Sequence, residues 1–254
     1  LSALGIALGV AVSLTAVSAR QVGGSAAAAI AMDADDISGV VTGARGPEAG
    51  VWVIAETRDL PTRLIKSVVT DDQGRYLLPD LPKATYDVWV RGYGLVDSAK
   101  VKAAPGKALN LAAVAAPNAR AAAQYYPAHY WLSMLQMPPK SDFPGTGPNG
   151  NGIAANIKSQ GQWIRDIVQT DACTACHQLG NKATREIPTA LGTFGDSAAA
   201  WDRRIQSGQS GEQMTNLMAG EMNSAPLKYL GEWTQRVANG ELPHTKPTRP
   251  QGVE

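Results

Sequence analysis

Two cysteines and one histidine form the densest group of reactive side chains in the sequence. Cys173 and Cys176 are the only cysteines, and His177 directly follows the second one. Residues three apart on a helical turn lie on the same side, so both sulfurs can form thioethers to the two vinyl groups of one haem. The imidazole of His177 then lies under the iron as its proximal ligand. This Cys-x-x-Cys-His spacing is the signature of c-type haem attachment and predicts one covalent haem c.

Three other uses of the cysteine pair are weaker. A tetrahedral zinc site needs a second pair of ligands, and besides His177 the chain offers only His129 and His244, at no finger-like spacing. A thioredoxin-like redox pair follows a strand of a βαβ unit, whereas this motif follows a predicted helix. A structural disulfide at this spacing is uncommon, and free thiols are improbable in an exported protein.

Methionines after the motif are candidates for the sixth iron ligand. Met214, Met218 and Met222 follow one another at four-residue intervals, so they share one face of a helix. We expect Met214 to be the ligand, because it follows the Gly-rich turn "SGQSGEQ". The alternative is that the stripe is ordinary core packing, since methionine commonly fills gaps in cores. More distant candidates are Met134, Met137, His129 and His244.

The N-terminal residues have the character of an export signal. The run from Leu1 to Val17 is uncharged and apolar, and Val17-Ser18-Ala19 is a small-x-small pattern that signal peptidase favours. We therefore assign residues 1–19 to a signal peptide and residues 20–35 to a spacer, and we expect a periplasmic or extracellular protein. A membrane anchor is the alternative if the segment stays uncleaved.

The charge of the chain argues against one class of partner. Lysine and arginine total 23 against 22 acidic residues, which gives a formal net charge of +1. Such a balance provides no basic field of the kind that a phosphate backbone selects. We expect no nucleic acid partner.

Residues 36–115 are predicted to form an all-β sandwich. Short runs rich in β-branched and aromatic residues recur at intervals of roughly 8 to 12 residues, separated by Gly, Pro and Asp. In "GVWVIAE", the alternation places Val53 and Ala55 on one face of a strand and Trp52 and Ile54 on the other. The sequence from Asp71 to Gly74 predicts a hairpin turn, with calcium binding by its aspartates as the alternative.

The stretch "TDDQGRYLLPDLPKATYDVWVRGYG" resembles the carboxypeptidase regulatory-like domain, a transthyretin-like sandwich. The shared features are its Asp-x-x-Gly turn, Tyr76, Leu81-Pro82 and Tyr86. This resemblance implies a structural or carbohydrate-binding-like domain over residues 36–115.

Residues 116–152 are predicted to be a connector, with a short amphipathic helix starting at Pro127 and then a Gly- and Pro-rich loop.

Residues 153–243 are predicted to be helical. The sequence from Ser159 to Gln162 has the form of a capping box, and residues 198–207 predict a second helix. A last helix opens at Ser224-Ala225-Pro226 and ends before Gly240. Residues 244–254 resemble an interdomain linker.

Residues 153–243 resemble a monohaem cytochrome c domain, with a helix before the motif and a C-terminal helix, "LKYLGEWTQRV". The first and last helices of that family pack beside the haem. The resemblance implies that Ile164 and Val168 meet the last helix at its apolar residues Leu230, Trp233 and Val237. The predicted fold class is therefore a transthyretin-like sandwich followed by an all-α cytochrome c domain.

The predicted function is single-electron transfer by an exported c-type cytochrome, with a redox protein as its partner. The alternative is a carbohydrate- or protein-binding scaffold in which the haem is a sensor or accessory. The domain order also resembles the front part of exported bacterial proteins that continue into a streptogramin-lyase-like β-propeller, which would then adjoin this chain. We identify no nucleophile elbow, phosphate loop or paired carboxylates, so enzymatic activity stays uncertain from the sequence.

Overall fold

The strands and helices of the protein occupy separate parts of the chain. A computed structural model describes residues 30–168 and 173–249. All strands in these ranges lie between residues 37 and 115, and all helices lie between residues 119 and 238. The prediction of an all-β sandwich followed by an all-helical region is confirmed at this level. The predicted signal peptide, residues 1–19, lies outside the described residues.

One face of the sandwich is a four-stranded antiparallel sheet. Its order is β4 (Leu64–Val69), β3 (Trp52–Thr57), β6 (Tyr86–Arg91) and β8 (Val101–Ala103). Val53 and Ala55 are fully buried in the sandwich core, whereas Ile54 does not belong to that core cluster. The predicted alternation in this strand is therefore confirmed, because neighbouring residues of a strand point to opposite faces.

The second sheet is built around β1 (Ile37–Gly43). It pairs antiparallel with β2 (Gly46–Pro47) and β5 (Arg75–Leu78), and parallel with β9 (Lys107–Ala108) and β10 (Leu111–Ala112). Strands β7 (Leu95–Val96) and β11 (Val114–Ala115) form a separate antiparallel pair.

A close backbone approach explains the glycine in the middle of β1. A Cβ atom at Gly39 would lie 2.0 Å from the carbonyl oxygen of Leu109. The buried hydroxyl of Tyr76 donates to that same oxygen over 2.6 Å. Only a residue without a side chain permits this contact, so Gly39 and Tyr76 together fix the segment before β10 on the sheet.

The turn at Asp71 forms as predicted but connects the two sheets. Its carboxylate Oδ1 accepts hydrogen bonds from the backbone N–H groups of Gln73 and Arg75, at 3.0 and 2.8 Å, and Gly74 has a φ of +72°. Strand β4 before it and strand β5 after it belong to different sheets. The hairpin prediction was wrong in this respect, because a local turn signal does not determine which strands pair.

The helices of the second region are mostly short. Two of them, α1 (Ala119–Ala123) and α2 (Ala128–Leu132), lie in the predicted connector. The others are α3 (Gln160–Val168), α4 (Cys173–Cys176), α5 (Lys182–Arg185), α6 (Ser197–Ile205), α7 (Gly211–Thr215) and α8 (Ala225–Ala238). Lys140–Asp142 and Thr189–Leu191 form 3₁₀ turns, and Asn216–Glu221 forms a π-helical segment.

Two predicted helix starts are confirmed, one by its capping hydrogen bonds and the other by the position of a proline. At α3, the hydroxyl of Ser159 accepts from the N–H of Gln162 over 3.1 Å, and Gln162 Oε1 accepts from the N–H of Lys158 over 2.9 Å. At α8, Pro226 occupies the first turn, where a missing N–H costs nothing. Local sequence signals therefore suffice to predict where each of these two helices begins.

The packing of α8 differs from the prediction. Its buried residues Leu230, Trp233 and Val237 form a cluster with residues of α2 and α6. The indole of Trp201 in α6 donates to the hydroxyl of Thr234 over 3.1 Å. Helix α3 buries Trp163 and Ile167 in a separate cluster, and it meets α8 through the ring of Tyr229, which lies 5.6 Å from that of Trp163. The expected contact of Ile164 with this face of α8 was therefore wrong, since α2 and α6 cover it; the side chain of Val168 lies outside what the structure describes.

The predicted connector contributes to the helical core. Trp131 of α2 is 2% exposed, and its carbonyl oxygen accepts from the indole N–H of Trp233 over 3.0 Å. The short helix expected from Pro127 is confirmed. Residues 116–135 therefore help to hold α8, in addition to joining the two regions.

Polar contacts link the sandwich to the helical region and to the C-terminal segment. The backbone N–H of Asp97 donates to the hydroxyl of Tyr125 over 3.2 Å, and the guanidinium of Arg91 lies over the same ring. Near the C-terminus, Arg249 donates to the carbonyl oxygen of Tyr93 over 2.9 Å and pairs with Glu48. Across the described ranges, no helix is both long and apolar enough to span a membrane.

Candidate functional site

The cysteine pair lies on a single helical turn at the surface. Helix α4 consists of Cys173–Cys176, and the N–H of His177 donates to the carbonyl oxygen of Cys173 over 2.8 Å. Cys173 is half-buried against the cluster that contains Trp163, whereas Cys176 and His177 are exposed. Residues 169–172, which precede the turn, are outside the described part of the chain. The turn therefore presents one sulfur to solvent and holds the other against the core.

An open cleft lies beside this turn. It has a volume of about 400 Å³ and is lined by residues 174–179 together with Ala128, His129 and Leu132. Gly180 has a φ of +95°, and a Cβ atom there would lie 2.0 Å from the carbonyl oxygen of Ala128. This close approach holds α2 against the end of the motif. His129, a distant candidate in the sequence, is thereby brought to the same cleft as His177.

Both thiols are free, and their surroundings differ. Cys173 and Cys176 form no disulfide in this structure. Burial raises the pKa of the Cys173 thiol, and a backbone hydrogen bond offsets part of that effect. Burial disfavours the thiolate because the charged form loses its hydration. Deprotonation of the half-buried Cys173 thiol is therefore disfavoured, while Cys176 is the accessible sulfur.

The three methionines after the motif do not form one continuous stripe. Met214 lies in α7, Met218 lies in the π-helical segment, and Met222 follows that segment. Met214 and Met218 pack with the cluster around Trp233, whereas Met222 is 1% exposed in the cluster that Cys173 also contacts. The π-helical segment changes the helical register between them. The structure thus brings Met222, and not the preferred Met214, into the cluster at the cysteine turn.

The more distant ligand candidates are spread over the helical region. Met134 is buried in the cluster around Trp233, and Met137 is 38% exposed. His244 is exposed after the end of α8. Only His129 among them lies at the cleft beside the motif.

The side chains that surround the cysteine turn contradict the prediction of one covalent haem c. Within residues 30–168 and 173–249, no three or more His, Cys, Asp and Glu side chains are grouped so that they could hold a metal ion. His177 is exposed, and the preferred partner Met214 packs with the α6 and α8 cluster. These side chains do not fit a covalently bound haem c, so the haem c prediction was wrong.

Comparisons with known proteins find partial likenesses only. No family model and no curated protein matches the chain. Similar solved structures include a Streptococcal ancillary pilin, at 15% identity and a TM-score of 0.28, over 34% of this chain and 31% of that one. The Bacillus anthracis TIE protein matches at 19% identity and a TM-score of 0.26, over 32% and 16%. A cohesin–X-dockerin complex from Acetivibrio cellulolyticus matches at 19% identity and a TM-score of 0.26, over 39% and 70%.

These likenesses leave the function open. The matches extend over about a third of this chain, and over about a third of the pilin chain. TM-scores this low carry no statement about shared function.

Sequence reasoning missed a second site, formed around Arg185. This residue ends α5 and is 3% exposed, with its guanidinium 4.3 Å above the ring of Trp131. It lines a cavity of about 560 Å³ between α1, α6 and α8. No spacing signal in the sequence marks Arg185, because its burial depends on helices that are distant along the chain.

Proposed function

We propose that the protein is an exported redox protein in which Cys173 and Cys176 carry electrons by alternating between a dithiol and a disulfide. The observation that carries this proposal is the placement of two free thiols on one surface turn, one exposed and one half-buried. No metal or prosthetic group is needed for this chemistry.

The spacing of the two cysteines is suited to disulfide formation. Residues three apart on a helix have neighbouring side chains. A disulfide requires Cα atoms roughly 4.4 to 6.8 Å apart, a range that one helical turn satisfies. The bond can therefore form with a local adjustment of α4. The four residues of α4 end directly before the exposed His177, so such an adjustment disturbs little packing.

The different exposure of the sulfurs gives them different roles in exchange with a partner protein disulfide. The Cys176 thiolate attacks one sulfur of the partner's disulfide, forming a mixed disulfide and releasing a partner thiolate. Cys173 then loses its proton and attacks the Cys176 sulfur, which releases the second partner thiolate. Two electrons pass to the partner, two protons leave Cys173 and Cys176, and an intramolecular disulfide remains.

The cleft beside α4 supports binding of such a partner. The accessible sulfur lies at its edge together with His129 and His177. An exposed sulfur next to a concave surface can receive a loop that carries the partner disulfide. The sandwich has its own apolar core. The residues that line the cleft all belong to the helical region, so the sandwich leaves the cleft open to a partner.

The finer fold assignments belong to the same proposal. We propose that residues 36–115 are a transthyretin-like sandwich, and the turn at Asp71 and the buried hydrogen bond of Tyr76 support this. The signal peptide predicted at residues 1–19 favours a periplasmic or extracellular location. An oxidising compartment supplies partners with disulfides.

Equilibrium redox titration of the purified full chain tests the proposed couple. In glutathione buffers, trapping of free thiols followed by mass measurement should show a two-electron transition, with a slope of about 30 mV per tenfold change in the ratio of the two forms. Cys173→Ser and Cys176→Ser should each abolish the transition. Ala175→Ser, between them on the same turn, is the matched control and should titrate like the unchanged protein.

Two outcomes would overturn this proposal. One is a pair of thiols that stays reduced, without any transition, over the whole range of buffers. The other is a chromophore that remains covalently bound to the two cysteines after denaturation, since such sulfurs are not available for exchange.

A further inference from the structure

The buried guanidinium of Arg185 is incompletely satisfied. Its Nη1 donates to the carbonyl oxygen of Gly180 over 3.1 Å, and its Nη2 donates weakly to Gln124 Oε1 over 3.4 Å. Its Nε is buried and has no hydrogen-bond partner among the described residues. The carboxylate of Glu186 is 4.0 Å from that nitrogen, which is too far for a hydrogen bond. One donor of a buried cation is therefore left open.

The surrounding structure holds this cation firmly in place. Asn181 caps α5 by accepting from the N–H of Thr184 over 3.0 Å, and the Thr184 hydroxyl accepts from the N–H of Gly180 over 2.9 Å. Trp131 provides the ring on which the guanidinium stacks. A buried charge with an unpaired donor is unfavourable, and a bound ligand that accepts from the donor removes this cost. The arrangement is typical of a preformed anion site.

The cavity that Arg185 lines has the size and the surface for a small organic ligand. Its volume of about 560 Å³ falls in the range of ligand pockets, roughly 300 to 1,000 Å³. Arg120 lies at its rim as a second, exposed cation, and Ile187, Phe194 and Leu242 supply apolar surface. A cation at depth beside apolar walls matches a ligand with one anionic end and an apolar body.

Two acidic residues in the lining restrict the charge of the ligand. Glu186 and Asp196 also face this cavity. Asp196 accepts from the N–H of Ala199 as the cap of α6, and Glu186 lies 4.0 Å from Lys182 Nζ. Their negative charges oppose a ligand that carries several anionic groups, so a monoanion is favoured.

We infer that this cavity binds a small monocarboxylate with an apolar or aromatic body. The carboxylate accepts from Arg185 Nε deep in the cavity and from Arg120 at the rim, and the body packs against Ile187, Phe194 and Leu242. The residues that line this cavity differ from those that line the cleft at the cysteine turn.

Nitrogen-15 NMR of the full chain tests this inference without a disruptive mutation. Benzoate is the probe, and benzamide, its neutral isostere, is the control compound. Benzoate should shift the Arg185 Nε–H resonance saturably, because a charge-assisted hydrogen bond forms there. Benzamide should bind at least about tenfold more weakly, since it lacks the charge. Equal binding of the two compounds, or no shift at Arg185, would overturn the inference.

Variants separate the roles of the two arginines. Arg120→Gln should weaken benzoate binding by about three- to tenfold, because it removes an exposed cation at the rim. Arg203→Gln, an exposed arginine of α6 outside the cavity lining, is the matched control and should bind like the unchanged protein. Arg185→Met should abolish binding, with folding checked by circular dichroism. An unchanged affinity in both Arg120→Gln and Arg185→Met contradicts the proposed site.

Discussion

The sandwich and the helical region satisfy their buried polar groups in different ways. In the sandwich, the buried Tyr76 hydroxyl donates to a backbone oxygen, and so does that of Tyr86, over 2.6 and 2.8 Å. In the helical region, the Nε atoms of Arg185 and Arg236 are buried without a hydrogen-bond partner among the described residues. One buried polar atom of the sandwich, Trp89 Nε1, also lacks a hydrogen-bond partner among the described residues. That indole lies on the outer face, where Lys100 covers it, while the core itself is closed.

The packing of the two regions indicates which of them can form a binding or reactive site. The sandwich packs one continuous apolar cluster between two sheets. The helical region divides its core into two clusters and leaves a cleft and a cavity between short helices. A region built from short helices has many helix ends, and each end exposes backbone groups and turns that can line a site. The two candidate sites therefore lie among the helices of the second region, the cleft between α2 and α4 and the cavity between α1, α5, α6 and α8.

The largest expected effect is at Trp233, which is fully buried where α2, α6 and α8 meet. Trp233→Ala should lower the free energy of unfolding of the helical region by about 3 to 5 kcal/mol, because it leaves a cavity and removes the indole hydrogen bond to the Trp131 carbonyl oxygen. Urea unfolding followed by helical circular dichroism measures this. Glu232→Ala, at an exposed position of α8, is the matched control. If both variants changed stability equally, the cluster would not be the core of this region.

A smaller effect is expected in the sandwich. Tyr76→Phe removes the donor to the carbonyl oxygen of Leu109 and keeps the ring. The buried acceptor is then unsatisfied, so we expect a loss of about 1 to 3 kcal/mol in the free energy of unfolding. Tyr130→Phe makes the same atomic change at a half-buried tyrosine of the helical region and should have less effect. Unfolding followed by tyrosine and tryptophan fluorescence compares them. An equal loss in both variants would remove the proposed contrast between the regions.

The sequence predicted local features of the two regions equally well. The alternation around Val53 gave a strand, and the caps at Ser159 and Pro226 gave the starts of helices. These features depend on a few neighbouring residues, so local physics determines them. The cysteine turn was also found from spacing alone, since Cys173 and Cys176 belong to one short motif.

Long-range features were not predictable from the sequence. The pairing of α8 with α6 requires Gly231, where a Cβ atom would lie 2.7 Å from the backbone nitrogen of Ala198. No local pattern indicates which helix that glycine faces. The burial of Arg185 over Trp131 likewise joins residues from distant parts of the chain. The haem prediction failed for a related reason: the motif specifies a turn, whereas a metal site requires ligands from several elements.

The smallest effect concerns the turn at Asp71 and depends on pH. Burial raises the pKa of this carboxyl, but hydrogen bonds from the backbone N–H and side chain of Arg75 and from the N–H of Gln73 outweigh it, so the pKa is lowered overall. A lowered pKa in the folded state stabilises the fold above the unfolded value, about 4. That stabilisation is lost as the pH falls through the folded pKa. It amounts to at most about 1 kcal/mol, since the pair is partly exposed.

Asp71→Asn tests this turn because it keeps an oxygen that can accept the two N–H groups and removes the charge. At pH 7 we expect the variant to be less stable by at most about 1 kcal/mol, and the difference should shrink as the pH falls through the lowered pKa of the folded state, where the aspartate takes up its proton. Urea unfolding at neutral and acidic pH, followed by the circular dichroism of the sandwich, measures both values. Asp35→Asn, an exposed carboxylate beside the same domain, is the matched control. A difference that does not shrink between neutral pH and the lowest pH at which the protein stays folded would show that the turn depends on the shape of the side chain and not on its charge.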